Sequence, residues 1–275
     1  MKQPLRIYLT GSRGILGRHV RVALERAVPG CSVLCNSADL TDLAATSDAL
    51  RAAGPLDLVV HLAALVPVDA VLANPARGYA VNTGGTINLL AALPDVEAGV
   101  GGHQAARLVH CSSGHVYAAQ DRPIREDDPT VPISVYGKTK LLGEQAAREI
   151  CAETGRALCV ARLFSLHDPA QTGNYLRPSL ERRLATADPE ATFELHGAGS
   201  LRDFLTAEAA AQQLVRLALS SFDGVVNLGS GRAQTVAEFA QSLAPFPLKI
   251  KPIGTDTTLV PDVSLLNGIL GEAND

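Results

Sequence analysis

Apolar positions along this chain change period at regular intervals, and each change marks an element. Leu5–Thr10 is a short run of the strand type. Leu16, Val20, Ala23, Leu24 and Ala27 then recur at helical spacing until Pro29 and Gly30 stop them. Ser32–Cys35 predicts a second strand, and a helix follows to about Ala53. Leu56–Ala64 is almost continuously apolar, as suits a strand buried on both faces of a parallel sheet. Asn74 and Pro75 open a helix carrying Tyr79, Val81, Asn82, Gly85, Ile87, Leu89 and Leu90. Arg107–Cys111 predicts another strand. A long helix follows Ser134, with Ala146, Ala147, Ile150 and Cys151 on its apolar stripe and a stop at Gly155; Ala157–Leu163 is again strand-like.

After Leu163 the alternation fails. Residues 164–204 are rich in proline, glycine and charge. A helix over Ala207–Leu219, a strand and turn over Val225–Gly231 and a helix over Thr235–Ala244 follow, and the remainder reads as short and loop-like. Strands alternating with helices predict an α/β fold, a doubly wound parallel sheet with helices on both faces. On this reading residues 1–163 and 205–232 form the sheet domain. Residues 164–204 and 233–275 form a small C-terminal lobe, and a ligand site lies in the crevice between the two.

Composition narrows the function classes. The 275 residues are 47% hydrophobic, enough for a sizeable core. A net charge of −4 without a basic cluster argues against nucleic acid as a partner. No apolar run approaches the roughly 18 residues of a membrane helix. Met1–Arg6 runs straight into a strand-like segment without the apolar region of a signal peptide. Five scattered cysteines lack a Cys-x-x-Cys pair, so reduced, buried thiols are expected, with no disulfide framework and no metal site. Together these features predict a cytoplasmic protein.

The candidate chemistry begins at the first strand–helix junction. Gly11, Gly14 and Gly17 stand between a strand and a helix, the arrangement of a dinucleotide-binding turn. Gly11 and Gly14 allow a tight turn and close approach to a pyrophosphate, Gly17 allows helix and strand to pack closely, and the helix N-terminus faces the phosphates. Ile15 and Leu16 belong to the same turn. An acid at the end of the second strand would bind the ribose 2′-hydroxyl of NAD. Cys35, Asn36 and Ser37 stand there instead, and Arg13 lies within the glycine turn. Both features lean toward NADP(H), with NAD(H) as the alternative; Arg13 also reads as a solvated charge. Leu62, Ala63 and Ala64 would let the cofactor lie across the end of the third strand, with His61 a core histidine satisfied by hydrogen bonds.

Ser112 and Ser113 end a strand at the edge where parallel sheets hold ligands. Tyr136 and Lys140 are four residues apart and share one helix face. An ammonium beside a phenol favours phenolate, so the Tyr136 pKa is expected to fall from about 10 toward the working pH. A phenol so tuned can protonate a carbonyl oxygen or deprotonate a hydroxyl. Ser113 is the candidate second donor to the same oxygen.

In order and spacing these residues resemble the extended short-chain dehydrogenase/reductases, the NAD(P)-dependent nucleotide-sugar epimerases, dehydratases and reductases. The likeness spans nearly the whole chain. It rests on Thr10 with Gly11, Gly14 and Gly17; Asp39 and Leu40; His61–Ala64; Asn82 with Gly85 and Thr86; Ser112, Ser113, Val116 and Tyr117; Tyr136 and Lys140; Arg202–Phe204; and Asn227–Gly231. It implies that Asp39 and Leu40 contact adenine, that Asn82 supports the cofactor site, and that Ser113, Tyr136 and Lys140 form a catalytic trio. Lys140 would also hold the nicotinamide ribose, and Arg202 would face a substrate diphosphate or, failing that, pair with Asp203.

The short path to Ala38–Asp42 and the stretch Leu163–Asp168 resemble in particular the GDP-L-fucose synthase-like 4-keto-sugar reductases. Those enzymes epimerise with a Cys and a His before reducing. The His position here is His167, the candidate acid or base, but the Cys position is Gly114. The acid pair of the sugar 4,6-dehydratases is replaced by Gly114 and His115. The expected function is therefore NADP(H)-linked reduction of a 4-keto-6-deoxy nucleotide sugar, with Ser112, Ser113, Asn174 and Arg202 contacting the nucleotide-diphosphate sugar. An NAD-dependent epimerase with a transient 4-keto intermediate and a non-catalytic NADP sensor are the alternatives. By family analogy, a homodimer would form through the helices that carry Asn82 and Tyr136.

Overall fold

The computed structural model describes residues 4–35, 37–66, 68–94 and 105–271. Its strands run in chain order as β1 (Arg6–Thr10), β2 (Ser32–Cys35), β3 (Leu58–His61), β4 (Arg107–Ser113) and β5 (Leu158–Leu163). There follow β6 (Leu166–His167), β7 (Thr192–His196), β8 (Leu201–Arg202), β9 (Leu205–Thr206), β10 (Gly224–Leu228), β11 (Gln234–Thr235), β12 (Lys249–Ile253) and β13 (Thr258–Leu259). Six of them form one sheet in the order β10-β5-β4-β3-β1-β2, every neighbouring pair parallel. The order reverses at β1, which places the carboxyl ends of β1 and β3 at the switch point of a doubly wound sheet.

Each face of the sheet is covered by helices whose apolar stripes bury against it. On one side, Val20 and Leu24 of helix Ile15–Ala27 meet Ala210, Leu214 and Leu217 of helix Ala207–Leu219 over Ile7, Leu9 and Val60. On the other, Leu50, Leu89, Leu90, Ala147 and Cys151 pack over Tyr8, Val59 and Leu108. β3 is buried along its whole length, as its continuous apolar run requires. Helix Val135–Glu153 is capped by the Ser134 hydroxyl, which accepts from the Gly137 amide at 3.0 Å. It ends at Gly155 in the left-handed conformation, where the Arg156 amide returns to the Cys151 carbonyl at 2.9 Å.

The helix opened by Asn74 is not continuous. Pro75–Tyr79 is α-helical, Ala80–Gly84 is a π-helical turn and Gly85–Ala92 resumes the α-helix. The extra residue turns Asn82 inward, where it is buried. A short helix over Val68–Ala73 precedes it, within a stretch that carries no clear periodicity.

The lobe has its own apolar centre. Leu180 and Leu184 of helix Leu176–Leu184, Phe193 and Leu195 of β7, and Val236 and Phe239 of helix Val236–Leu243 pack together. The tail is structured where a loop was expected. β12 pairs in parallel with β7, β13 with β8, and helix Ser264–Leu270 returns to the sheet domain. Leu266 of that helix is buried in the cluster of the first helical face, so residues 233–275 do not all belong to the lobe. Leu266, Ile269 and Leu270 supply that helix's apolar contact, but a segment this short gives too few turns for its period to show.

Candidate active site

A crevice of about 1280 Å³ runs between the sheet domain and the lobe. It exceeds the size usual for one small ligand and has room for two placed end to end. One end is backbone. Gly11 has φ +70°, and a Cβ there would stand 2.7 Å from the Ala63 nitrogen. A Cβ on Gly17 would stand 2.2 Å from the Gly11 carbonyl oxygen. The turn is thus drawn so tightly onto β3 that no side chain fits on its inner side. Gly14 is the N-cap and supplies no side-chain bond to the first helical turn, leaving amides there for an anion. These features fit a dinucleotide pyrophosphate.

The strand ends beneath this turn are fixed by one histidine. His61 Nε2 lies 3.0 Å from the Thr86 hydroxyl, whose own proton goes to the Asn82 carbonyl at 3.0 Å. Nε2 must therefore carry the ring proton, and Nδ1 accepts from the Thr10 hydroxyl at 2.7 Å. The Thr10 oxygen in turn accepts from the amides of Leu62 and Ala63, at 3.1 and 3.2 Å. Burial pushes the His61 pKa down to about 3, with the Lys140 charge adding to it, so the ring stays neutral. It is the satisfied core histidine of the sequence reading.

Gly11, Arg13, Gly14, Ile15, Leu16, Gly17, Asp39, Leu40, Leu62, Ala63 and Ala64 all line the crevice. Asn36 lies outside the described residues. Asp39 accepts from the Thr41 amide and hydroxyl, at 3.0 and 2.8 Å, and from Arg77 Nη2 at 3.2 Å. Arg77 also lines the crevice, and the sequence reading missed it; it lies 38 residues from Asp39. Asn82 does not line the crevice. Its amide is used from behind: Oδ1 accepts from the Leu65 amide at 2.7 Å, and Nδ2 donates to the Leu65 carbonyl at 3.1 Å and to Thr139 Oγ1 at 2.9 Å. Asn82 thereby ties the loop after β3 to the Tyr136 helix and does not offer a direct cofactor contact.

Ser113, Tyr136 and Lys140 meet midway along the crevice. All three are buried, with Tyr136 7% exposed and Lys140 4%. The Ser113 hydroxyl accepts from the His115 amide at 3.2 Å and stands beside the Tyr136 phenol. The expected tuning by Lys140 is not what the side chains do. Lys140 Nζ donates to the Cys111 carbonyl at 2.7 Å, and its own pKa is lowered by burial. Burial raises the Tyr136 phenol well above the ordinary tyrosine value, and the neighbouring Ser113 hydroxyl opposes this only in part. The phenol is therefore a proton donor at neutral pH, held in its protonated form by desolvation. The ring of His115 meets Tyr136 edge-on at 5.6 Å.

Ser112 also lines the crevice, but its hydroxyl is engaged in the protein. Its hydroxyl donates to Glu144 Oε2 at 2.8 Å, inside a buried ion pair of Glu144 with Arg162 at 2.5 Å. Successive side chains of a strand point to opposite faces, which gives the two neighbouring hydroxyls different partners. Ser112 still lines the crevice beside Ser113, with its hydroxyl proton committed to Glu144. Tyr117 and Asn227 belong to the same buried network: the Tyr117 hydroxyl donates to Asn227 Oδ1 at 3.0 Å, and Arg162 donates to the Tyr117 oxygen.

The lobe supplies the far end. Asn174, Tyr175, Arg177, His196, Arg202 and Thr257 line it. Arg202 Nη1 donates to the Thr257 carbonyl at 2.6 Å, and Nη2 to the Thr257 hydroxyl at 2.7 Å. The alternative ion pair with Asp203 does not form. Asp203 accepts from the amides of Ser230 and Gly231, both at 2.7 Å, and so holds the turn after β10. Phe204 and Phe239 stack at 4.1 Å, with His167 edge-on to Phe239 at 5.1 Å. A Cβ on Gly114 would lie 2.8 Å from the Phe164 ring, so a cysteine there would have to displace the phenylalanine. Tyr175, Arg177, His196 and Thr257 were not singled out from the sequence, because their segments show no periodicity that would aim them at the site.

A family model described as the NAD dependent epimerase/dehydratase family matches residues 7–229. The dTDP-4-dehydrorhamnose reductase of Mycolicibacterium smegmatis is 30% identical over 262 residues, covering 91% of this chain and 73% of that protein. The GDP-6-deoxy-D-mannose reductase of Pseudomonas aeruginosa is 29% identical over 250 residues, covering 87% of this chain and 79% of that protein. Among solved structures, RMD from Pseudomonas aeruginosa complexed with NADPH superposes with a TM-score of 0.84 at 24% identity. The overlap covers 99% of this chain and 93% of that one, a likeness of fold. The family match begins in β1 and ends just after β10, which takes in the whole parallel sheet, and the chain accordingly belongs to the NAD dependent epimerase/dehydratase family of extended short-chain dehydrogenase/reductases.

Proposed function

We propose that this protein reduces the 4-keto group of a nucleotide-diphosphate 4-keto-6-deoxyhexose with NADPH. The observation that carries this reading is a buried, protonated phenol beside Ser113, midway along a crevice that joins a pyrophosphate-type glycine turn to Arg202. The cofactor supplies the hydride to carbon 4 when bound. Tyr136 donates its proton to the oxygen as negative charge develops there, and Ser113 hydrogen-bonds the same oxygen. Lys140 holds the nicotinamide ribose, and its charge attracts the phenolate that Tyr136 becomes. Arg202 takes the substrate diphosphate, with Asn174 beside it. Arg13, and the absence of an acid at Cys35, favour NADPH over NADH; the RMD structure was solved with NADPH.

Reduction is proposed without epimerisation. Proton exchange beside a ketone needs a base on one face of the carbon and an acid on the other. Gly114 has no titratable group, and Phe164 fills the space where one would stand. The five free cysteines agree with a reducing, cytoplasmic setting. Among the described residues no helix is long and apolar enough to cross a membrane. Leu72, Tyr79, Ile87 and Leu142 are exposed on or beside the helices that carry Asn82 and Tyr136, which supports a homodimer through that face.

The test is NADPH consumption with dTDP- and GDP-linked 4-keto-6-deoxyhexoses, followed in deuterium oxide with proton NMR of the product. Tyr136→Phe should lower the rate roughly 100-fold or more with NADPH binding little changed. Near-normal turnover by that variant would remove Tyr136 from the mechanism. Deuterium at carbon 3 or 5 above the no-enzyme control would restore an epimerase step. Tightly held NAD in the purified protein, with interconversion of UDP-hexoses, would favour the epimerase reading instead.

A further inference from the structure

His167 is the half of the epimerising acid–base pair that this chain retains, yet its surroundings give it a different task. Its Nδ1 lies 3.1 Å from Arg177 Nη1. A guanidinium only donates, so Nδ1 accepts and the ring proton sits on Nε2. The edge of the ring packs on Phe239 at 5.1 Å. The ring is thus held between Arg177 and Phe239, with Nδ1 taken up by the guanidinium.

Arg177 is held from two sides. Its Nε donates to Glu181 Oε1 at 2.8 Å, one helical turn on, and its Nη1 to His167. Nη2 has no partner among the described residues, although the side chain is only 16% exposed and lines the crevice. A largely buried guanidinium with a spare donor aimed at a cavity is poorly satisfied until a ligand supplies an acceptor. Arg202, on the same crevice, bonds only the neutral oxygens of Leu201 and Thr257.

We infer that His167 is a positioning residue that holds Arg177, and that the free edge of Arg177 binds an anionic oxygen of the substrate as a second cation beside Arg202. This rests on the function proposed above for one point, the identity of the anion. A 4-keto-6-deoxyhexose carries no charge, so the anionic oxygens are those of the diphosphate.

The experiment measures binding of dTDP, UDP and GDP, and of their monophosphates, to the NADPH-loaded protein by calorimetry. Arg177→Gln should weaken the preferred diphosphate roughly 10-fold or more and the monophosphate less, because a charge-assisted bond is lost. His167→Leu should show a similar loss. His167→Asn should recover most of it, since an amide oxygen can accept from Arg177. The double variant His167→Leu, Arg177→Gln should bind no worse than Arg177→Gln alone, because the two residues act through one contact. In turnover, His167→Leu should raise KM for the keto-sugar far more than it lowers kcat. An unchanged NADPH affinity shows that each variant is folded.

A kcat loss of roughly 100-fold in both His167 variants, with diphosphate binding intact, would make His167 a proton carrier and overturn the assignment. So would Arg177→Gln binding the diphosphate as tightly as the native chain. Failure of the native chain to bind any of the three diphosphates would overturn this inference and the proposed function together. The expected binding pattern without keto-sugar turnover would remove the reductase reading and leave the role of Arg177 standing.

Discussion

The two ends of the crevice are built by different means. At the glycine turn the wall is backbone, from residues adjacent in sequence, and its shape depends on side chains that are missing. At the lobe the wall is side chains, brought together by pairings between distant segments: β8 lies between β11 and β13, and β6 pairs with β9. The first end can be read from a few neighbouring residues. The second exists only once the tail has folded back. A close backbone cradle leaves little freedom for variation, whereas a wall of side chains can change its ligand by changing residues. That is the division expected where the cofactor is shared across a family and the substrate is not.

The largest expected effect lies at the first end. Gly17→Ala places a Cβ 2.2 Å from the Gly11 carbonyl oxygen, with backbone on both sides and no flexible side chain to yield. The turn must open or the helix must shift. NADPH affinity should fall roughly 100-fold or more, or the melting temperature should drop by an amount equivalent to more than about 3 kcal/mol. Titration calorimetry and thermal melting check both. Native affinity with native stability would mean that the turn is not the rigid cradle described.

Next comes the joint between the ends. Glu144 stands on the Tyr136 helix and Arg162 near the end of β5, both almost fully buried. Glu144→Ala leaves the guanidinium without its counter-charge and the Ser112 hydroxyl without its acceptor. A loss of about 3–5 kcal/mol is expected, read as a lowered denaturation midpoint. A loss under 1 kcal/mol would show that water or a shifted side chain satisfies Arg162.

At the lobe the effect should be smaller and should fall on the other ligand. Arg202→Ala should raise KM for the keto-sugar roughly 10-fold or more, as for one charge-assisted contact, and leave NADPH affinity unchanged. Equal weakening of both ligands would break the division between the two ends.

How much of this was legible follows from the same division. The strand–glycine–helix start, the buried run through β3 and the Tyr136 helix are local patterns, and the structure keeps them within about three residues. The lobe was seen only as a break in alternation. Lys249–Ile253 alternates charge and aliphatic residues, but its partner β7 lies 57 residues away in register, so nothing nearby marks it as a strand. Within the site, proximity was readable and direction was not. Ser112 and Ser113 are neighbours that both line the crevice, and only the pleat decides that the Ser112 hydroxyl goes to Glu144. Tyr136 and Lys140 share a helix face, yet Lys140 reaches the Cys111 carbonyl, a bond fixed by packing of the helix against β4.

That last difference sets the smallest expected effect, which is none. A phenol tuned down by Lys140 would lose its proton as pH rises through 7 to 9, and kcat/KM for the keto-sugar at saturating NADPH would fall with it. Here burial raises the Tyr136 pKa above its ordinary value of 10. The acid form required for reduction is then fully populated throughout that range. Burial, and then Arg202 for His115 and Arg177 for His167, lowers both histidines below their ordinary value of 6.5, so neither gains a proton above pH 7. The profile of log kcat/KM should be flat from pH 7 to about pH 9, and Tyr136→Phe should lower it without changing its shape. An alkaline limb of unit slope centred near pH 8, lost in Tyr136→Phe, would mean that Lys140 tunes the phenol after all. The lysine would then have to leave the Cys111 carbonyl when the cofactor binds.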